Sequence, residues 1–182
     1  GYHQRLYFLP WLHLSGHDIR HDACPAIPMS LGPDMPEAEK PIEPVFVYSG
    51  IFLPWQDPSR ALECVVEKLN ERDSGRLLVF AGPHPTSAFP TGDMPELISS
   101  LERHPRVEFG GVVPFETLTE QSRRCSVSID LMTRNVEREL AFTTRTVVGL
   151  WCGLPALYND YSELSEHIRS NGAGWTVDPE DR

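Results

Sequence analysis

Phe142-Thr143-Thr144-Arg145 places two hydroxyls and a guanidinium at the first turn of an apolar-periodic run. A helix beginning there presents unpaired backbone N–H groups and a partial positive charge, the chemistry that holds a phosphate. Arg134 and Arg138 lie close to Arg145 in the chain, and a planar guanidinium can grip a phosphate with paired hydrogen bonds. The ordinary alternative is a threonine-capped helix start whose arginines pair Glu137 and Glu139. Two other loops offer candidates. Gly50 ends "VFVYSG" and Gly82 lies in "AGPHP"; glycine admits close backbone approach to a ligand, or simply turns the chain. Trp55 can stack on a ring or cover the sheet edge. His84 can donate to a phosphate or sugar hydroxyl, or stay solvated. His13, His17 and His21 are spaced as helical metal ligands would be, but Ser15-Gly16 interrupts a helix there and no HExxH occurs, so no zinc site is expected. GxxxxGK[ST], GxGxxG and GxSxG are all absent, leaving a Walker-type loop, a dinucleotide fingerprint and a hydrolase elbow unsupported.

These residues must be positioned by a scaffold, and its pattern is regular from Pro44 onward. Apolar runs at 45–50, 76–82, 106–113, 126–131, 155–159 and 174–177 read as strands. Between them lie helical stretches: "DPSRALECVVEKLNER" with Asp57 as cap and Pro58 at its first position, 93–104 capped by Asp93, 114–125, about 143–152, and 161–170. Strands alternating with helices predict an α/β fold: a Rossmann-like parallel sheet of about six strands with helices on both faces. Ligands of such sheets bind beyond the carboxyl ends of the strands, which is where the candidate loops fall. Residues 1 to about 40 differ, with aromatic clusters, many prolines and no sustained period. They read as a short helical piece, an extended segment and a linker.

Composition narrows the partners. A formal charge of −10 and a pI near 5.1 disfavour nucleic acid and anionic lipid, so an anionic ligand needs a local positive site. Cys24, Cys64, Cys125 and Cys152 lack CxxC spacing and read as free thiols of a reducing compartment. No apolar run approaches the roughly 20 residues of a membrane span, and no signal-peptide layout opens the sequence. The expectation is cytoplasmic, with a peripheral position at the inner face of the membrane for a full-length protein. Beginning at Gly1 and stopping after "DPEDR", the sequence reads as a piece of something longer.

Taken together, "YSGIFLPWQDPSRALE", "GPHP" and "ERELAFTTRTVVGLWCGLPALYNDYSEL" resemble the C-terminal, donor-binding domain of GT-B glycosyltransferases, in particular retaining nucleotide-sugar enzymes of bacterial surface and polysaccharide assembly. The likeness runs from about Pro44 to the end. "HQRLYFLPWL" resembles a late segment of the acceptor domain, and "AIPMSLGPDMP" the strand crossing to the hinge. The resemblance implies that residues 1–40 end the acceptor domain and form the linker. Residues 41–182 would be the donor domain, its closing C-terminal helix missing. A nucleotide diphosphate sugar would lie over the sheet edge, with Phe142, Thr143, Thr144 and Arg145 meeting the diphosphate. Gly50, Trp55, Gly82 and His84 would approach phosphates or sugar, Gly111 and Val112 would flank the base, and Glu137 and Glu139 would act at the sugar as the catalytic candidates.

Activity would be transfer of a hexosyl-type group to a cell-surface glycan or lipid-linked acceptor held by the missing N-terminal domain. No cofactor, metal or nucleic acid is implied, and the fragment alone would turn over little. Two departures stand out: Val148 occupies the position of the second acidic residue of the family, which grips the ribose, and the usual basic pair of the first loop is absent. The rival readings are a non-catalytic nucleotide- or partner-binding module of the same fold and a sugar-nucleotide epimerase, which needs acid and base carboxylates in the cleft.

Overall fold

The structure is a computed structural model that describes residues 1–21, 23–27, 29–83 and 94–181. After a helix α1 (Tyr2–Leu14) and an extended segment come β1 (Val45–Phe52), α2 (Ser59–Arg72), β2 (Arg76–Pro83), α3 (Met94–Glu102) and β3 (Val107–Phe109). The second half contains α4 (Phe115–Ser122), β4 (Val127–Asp130), α5 (Val136–Leu140), α6 (Thr144–Trp151), β5 (Ala156–Asn159), α7 (Glu163–Ser170) and β6 (Gly174–Val177). The strands form one sheet in the order β3-β2-β1-β4-β5-β6, with every neighbouring pair parallel. The predicted α/β Rossmann-like sheet of six strands is thus the one observed. Its order reverses between β1 and β4, and the two connections leaving that point part to opposite sides, opening a crevice at the carboxyl edge.

Alternation along the strands builds a core on each face. Tyr48, Leu77, Val79 and Ile129 pack against Leu62 and Leu69 of α2 and Met94, Leu97 and Leu101 of α3. Val45, Val47, Leu78 and Phe80 point the other way, onto Cys125, Cys152, Leu154 and the half-buried Leu118 and Val148. Ala156 and Tyr158 continue that face against Leu164 and Ile168 of α7. Full burial of each large apolar side chain contributes about 1.5–3 kcal/mol, so the sheet is a stiff platform for its edge loops.

Several boundaries differ from the sequence expectation. β1 runs two residues past Gly50 because its pairing with β2 continues through Ile51–Gly82 and Phe52–Pro83. β3 is short, since the chain turns away through Gly110 and Gly111. α2 starts at Ser59 with Pro58, not Asp57, at the cap position; the Asp57 carboxylate accepts the Ser59 N–H just ahead of the helix. α5 was not anticipated; the Asn135 side chain caps it by accepting the Arg138 N–H at 3.0 Å. Asp93, expected to cap α3, lies outside the described residues.

α1 contributes no buried residue and rests beside α5 and α7, with the His3 N–H donating to Glu163 Oε2 at 2.9 Å. The extended segment is attached more firmly. Trp151 Nε1 donates to the Gly32 carbonyl at 2.9 Å, Arg123 Nε to that of Glu37 at 2.6 Å, and the Glu39 N–H to that of Arg123 at 2.7 Å. All four cysteines are free, Cys125 and Cys152 buried, and burial pushes the Cys125 thiol up to about 12. Among the described residues no helix is long and apolar enough to cross a membrane.

Candidate functional site

α6 leaves the β4 side of the switch point with its N-terminus at the carboxyl edge. Its cap residue Thr143 is extended, but the hydroxyl turns inward, to Thr146 Oγ1 at 3.0 Å and the Tyr158 hydroxyl at 3.3 Å. Thr146 in turn donates to Asp130 Oδ2 at 2.6 Å. This buried chain of oxygens bolts the first turn of α6 onto β4 and β5. Because the Thr143 side chain is committed there, it does not cap the leading N–H groups of α6, and no other side chain among the described residues does. They open on a cleft of about 220 Å³ lined by Gln4, Gln56, Glu137, Arg138, Ala141 and Phe142 to Arg145.

The cleft is polar, and its charged groups are imperfectly paired. Asp130 ends β4 and is buried, as is Arg138 of α5. Arg138 Nη2 lies 3.7 Å from Asp130 Oδ1, and Arg145 Nε lies 3.9 Å from the same oxygen. Two guanidinium groups therefore share one carboxylate, with Glu137 Oε2 at 3.8 Å from Arg138 Nη1 on the outer side. Both distances to Oδ1 exceed hydrogen-bond range, and Arg138 Nε, Arg138 Nη2 and Asp130 Oδ1 are buried with no hydrogen-bond partner among the described residues. A buried cation with unused donors is costly unless an acceptor arrives.

Arg145 reaches across the crevice to β1. Nη1 donates to the Tyr48 hydroxyl at 3.2 Å and Nη2 to Gln56 Oε1 at 2.6 Å, with the guanidinium over the Tyr48 ring. Burial opposes its charge, but Asp130 and Tyr48 outweigh that and hold its pKa above the usual arginine value. Burial likewise raises the Tyr48 phenol, so Tyr48 stays neutral. Gly50 makes the crossing possible: it has φ +150°, and a Cβ there would stand 2.7 Å from Arg145 Nη1.

The residues expected from sequence separate into groups. Gly50, Phe142, Thr143, Thr144, Arg145 and Glu137 gather around the α6 start. Phe142 is half-buried with its ring edge-on to His167, and Thr144 is exposed. Glu139 turns away, accepting from Arg134 Nε at 2.7 Å in a surface ion pair. Trp55 is exposed rather than covering the sheet edge, and its carbonyl accepts from Asn135 Nδ2 at 2.8 Å, which ties the β1–α2 loop to α5. Gly82 and Val112 meet on the β2–β3 side, where a Cβ on Gly82 would touch the Val112 methyl, and Gly111 turns the chain at φ +66°. His84 lies outside the described residues. Val148 packs into the apolar cluster with Val47, Leu78 and Phe80.

Asp130, Tyr48, Gln56, Thr146 and Tyr158 were not singled out from sequence. An aspartate closing the apolar run "SVSID" was a legible signal for a charged edge position; nothing marks Gln56. A larger cleft of about 470 Å³ opens beside α2 among Ala61, Leu131, Met132, Leu157 and Val177. Arg60, the one lining cation among the described residues, already donates to the Glu180 and Asp181 carbonyls, and Asp57, Asp178, Glu180 and Asp181 rim the cleft, so an anion is better served at α6.

No family model matches the sequence, and no curated protein does. Solved structures match by shape. The C-terminal domain of the glycosyl transferase group 1 family protein LpcC from Francisella tularensis superposes with a TM-score of 0.59 at 11% identity, over 76% of this chain and 69% of that one. Sucrose-phosphate synthase from Thermosynechococcus elongatus gives 0.55 at 19% identity, over 77% and 33%. Anabaena HepE in complex with UDP-glucose gives 0.57 at 14% identity, over 75% and 35%. The chain thus spans about a third of the length of the latter two. At these identities the likeness is one of fold, and the fold is that of the C-terminal domain of GT-B glycosyltransferases.

Proposed function

We propose that this chain is the donor-binding half of a glycosyltransferase, holding the diphosphate of a nucleotide sugar at the start of α6. The observation that carries the reading is Arg138, buried at the cleft with two donor atoms unpartnered among the described residues, beside Arg145 and the uncapped N–H groups of α6. A diphosphate in the cleft would offer acceptors to the α6 N–H groups and Arg145 and a counter-charge to the buried Arg138. Fixed donors of this kind also stabilise the charge that develops on a departing diphosphate, where preorganised dipoles act without reorganising. Glu137 would face the sugar hydroxyls from the cleft rim; Glu139, paired with Arg134, is the weaker of the two candidates. Gly82, Gly111 and Val112 would flank the base. The glycan acceptor, held by a preceding domain, and a retaining outcome belong to the same proposal, as does the division near residue 40.

Titration calorimetry with uridine, guanosine and adenosine diphosphates tests it. Base-selective binding near millimolar is expected for half a site, corresponding to about −4 kcal/mol. Arg138→Met and Arg145→Met should each weaken it at least tenfold. A folded chain that binds none of the diphosphates overturns the reading. Val148 favours one second reading, a binding module that has lost chemistry, because a side chain packed on Val47 and Phe80 offers no acceptor to a ribose. Donor turnover by the full-length protein with glycan acceptors separates the two.

A further inference from the structure

Gln56 sits where the β1–α2 loop meets α5 and α6, and both ends of its amide are engaged. Oε1 accepts from Arg145 Nη2 at 2.6 Å, and Nε2 donates to Glu137 Oε1 at 3.5 Å. The first contact is the shortest that the Arg145 guanidinium makes; its others are a phenol at 3.2 Å and a carboxylate at 3.9 Å. A neutral carbonyl-type oxygen thus lies against a buried cation inside the cleft that Gln56 itself lines. Gln56 itself carries no charge, and it sits in a short loop closed by the Leu53–Gln56 bridge and tied to α5 through the Trp55 carbonyl.

We propose that Gln56 is a built-in stand-in for the ligand: its amide oxygen occupies, in the empty site, the position on Arg145 that a phosphoryl oxygen takes on binding. The inference rests on the donor-site reading above and adds a competitor to it. A charged phosphoryl oxygen makes a stronger hydrogen bond to a guanidinium than an amide oxygen does, so the exchange runs toward the ligand. Displacement of the Gln56 side chain also removes the amide donor from Glu137, leaving its ion pair with Arg138, and shifts the adjoining Trp55. Arrival of the diphosphate thereby relieves the carboxylate that would face the sugar of its amide partner and reports itself through a neighbouring indole.

Competition gives the substitutions opposite signs. Gln56→Met keeps the bulk and removes the acceptor, so the 182-residue chain should bind uridine diphosphate and inorganic pyrophosphate about threefold or more tightly. Gln56→Glu places a carboxylate on Arg145 and should weaken both at least tenfold. Gln56→Ala, which tolerates any packing effect of Met, should tighten binding in the same direction. Ligand-induced fluorescence change should disappear in Trp55→Phe and persist in Trp11→Phe. Weaker binding by both Gln56→Met and Gln56→Ala makes Gln56 a direct ligand and overturns the proposal, and unchanged binding by both makes it a bystander with the same result. Loss of binding by the unsubstituted, folded chain would instead overturn the donor-site reading itself, so the two failures are distinguishable.

Discussion

At the scale of single residues, the site is organised by one buried carboxylate and the two guanidinium groups that share it. Asp130 accepts from Thr146 and stands between Arg138 and Arg145, each too far for a good hydrogen bond. Removing one partner of a buried charge group is far more damaging than the group is stabilising, because the remaining ions cannot be resolvated. Asp130→Asn should therefore cost about 3 kcal/mol in urea unfolding, whereas Glu139→Gln, which breaks an exposed pair with Arg134, should leave the midpoint nearly unchanged. Equal effects would mean that Asp130 is solvated in the folded chain. The sequence made Arg145 legible, since a guanidinium at a helix start in an acidic chain is conspicuous. It could not reveal that Arg145 crosses to β1: that depends on Gly50 lacking a side chain on a strand nearly a hundred residues away, a relation that periodicity does not encode.

At the scale of elements, alternating apolar runs were sufficient to locate all six strands, because buried strands leave a compact apolar signature whatever their neighbours. Short elements were less legible. α5 has five residues and owes its existence to the Asn135 cap and to burial of Arg138, neither of which produces a hydrophobic period. Edge strand β6 depends on a glycine in another way. Gly174 has φ +147°, and a Cβ there would overlap the Ala156 carbonyl and amide across the β5–β6 pairing. Gly174→Ala should unpair β6 and destabilise the chain by about 3 kcal/mol, seen as a lower thermal midpoint with loss of amide protection at Thr176. Retained protection at that position would show that the edge can shift to accommodate the methyl.

At the scale of the whole molecule, the N-terminal residues divide into a loosely seated helix and a firmly attached strap. α1 exposes Leu6, Phe8, Trp11 and Leu14 and buries nothing, while the stretch from Gly32 to Glu39 makes three hydrogen bonds to α4 and α6 residues or their flanks. The composition shift near residue 40 was read as the domain boundary; the contacts attach the preceding strap to the sheet-bearing body. Removing residues 1–21 should leave the unfolding midpoint little changed, whereas removing 1–40 should cost about 2–4 kcal/mol, from lost hydrogen bonds and exposure of Trp151. Equal losses would mean that α1 carries the stabilisation.

The strand order has a kinetic consequence. The seam between β1 and β4 joins residues 81 apart in sequence, as the Val45–Ser126 hydrogen bond shows, whereas β1 and β2 meet across a single helix. Closing so long a loop delays that seam relative to local pairing. On a ribosome adding about 5–20 residues per second, the inner edge of β1 waits on the order of ten seconds for its partner. During that interval the β4-facing side of β1 is a naked row of amides and carbonyls, and the nascent chain is most open to chaperone capture or mispairing there.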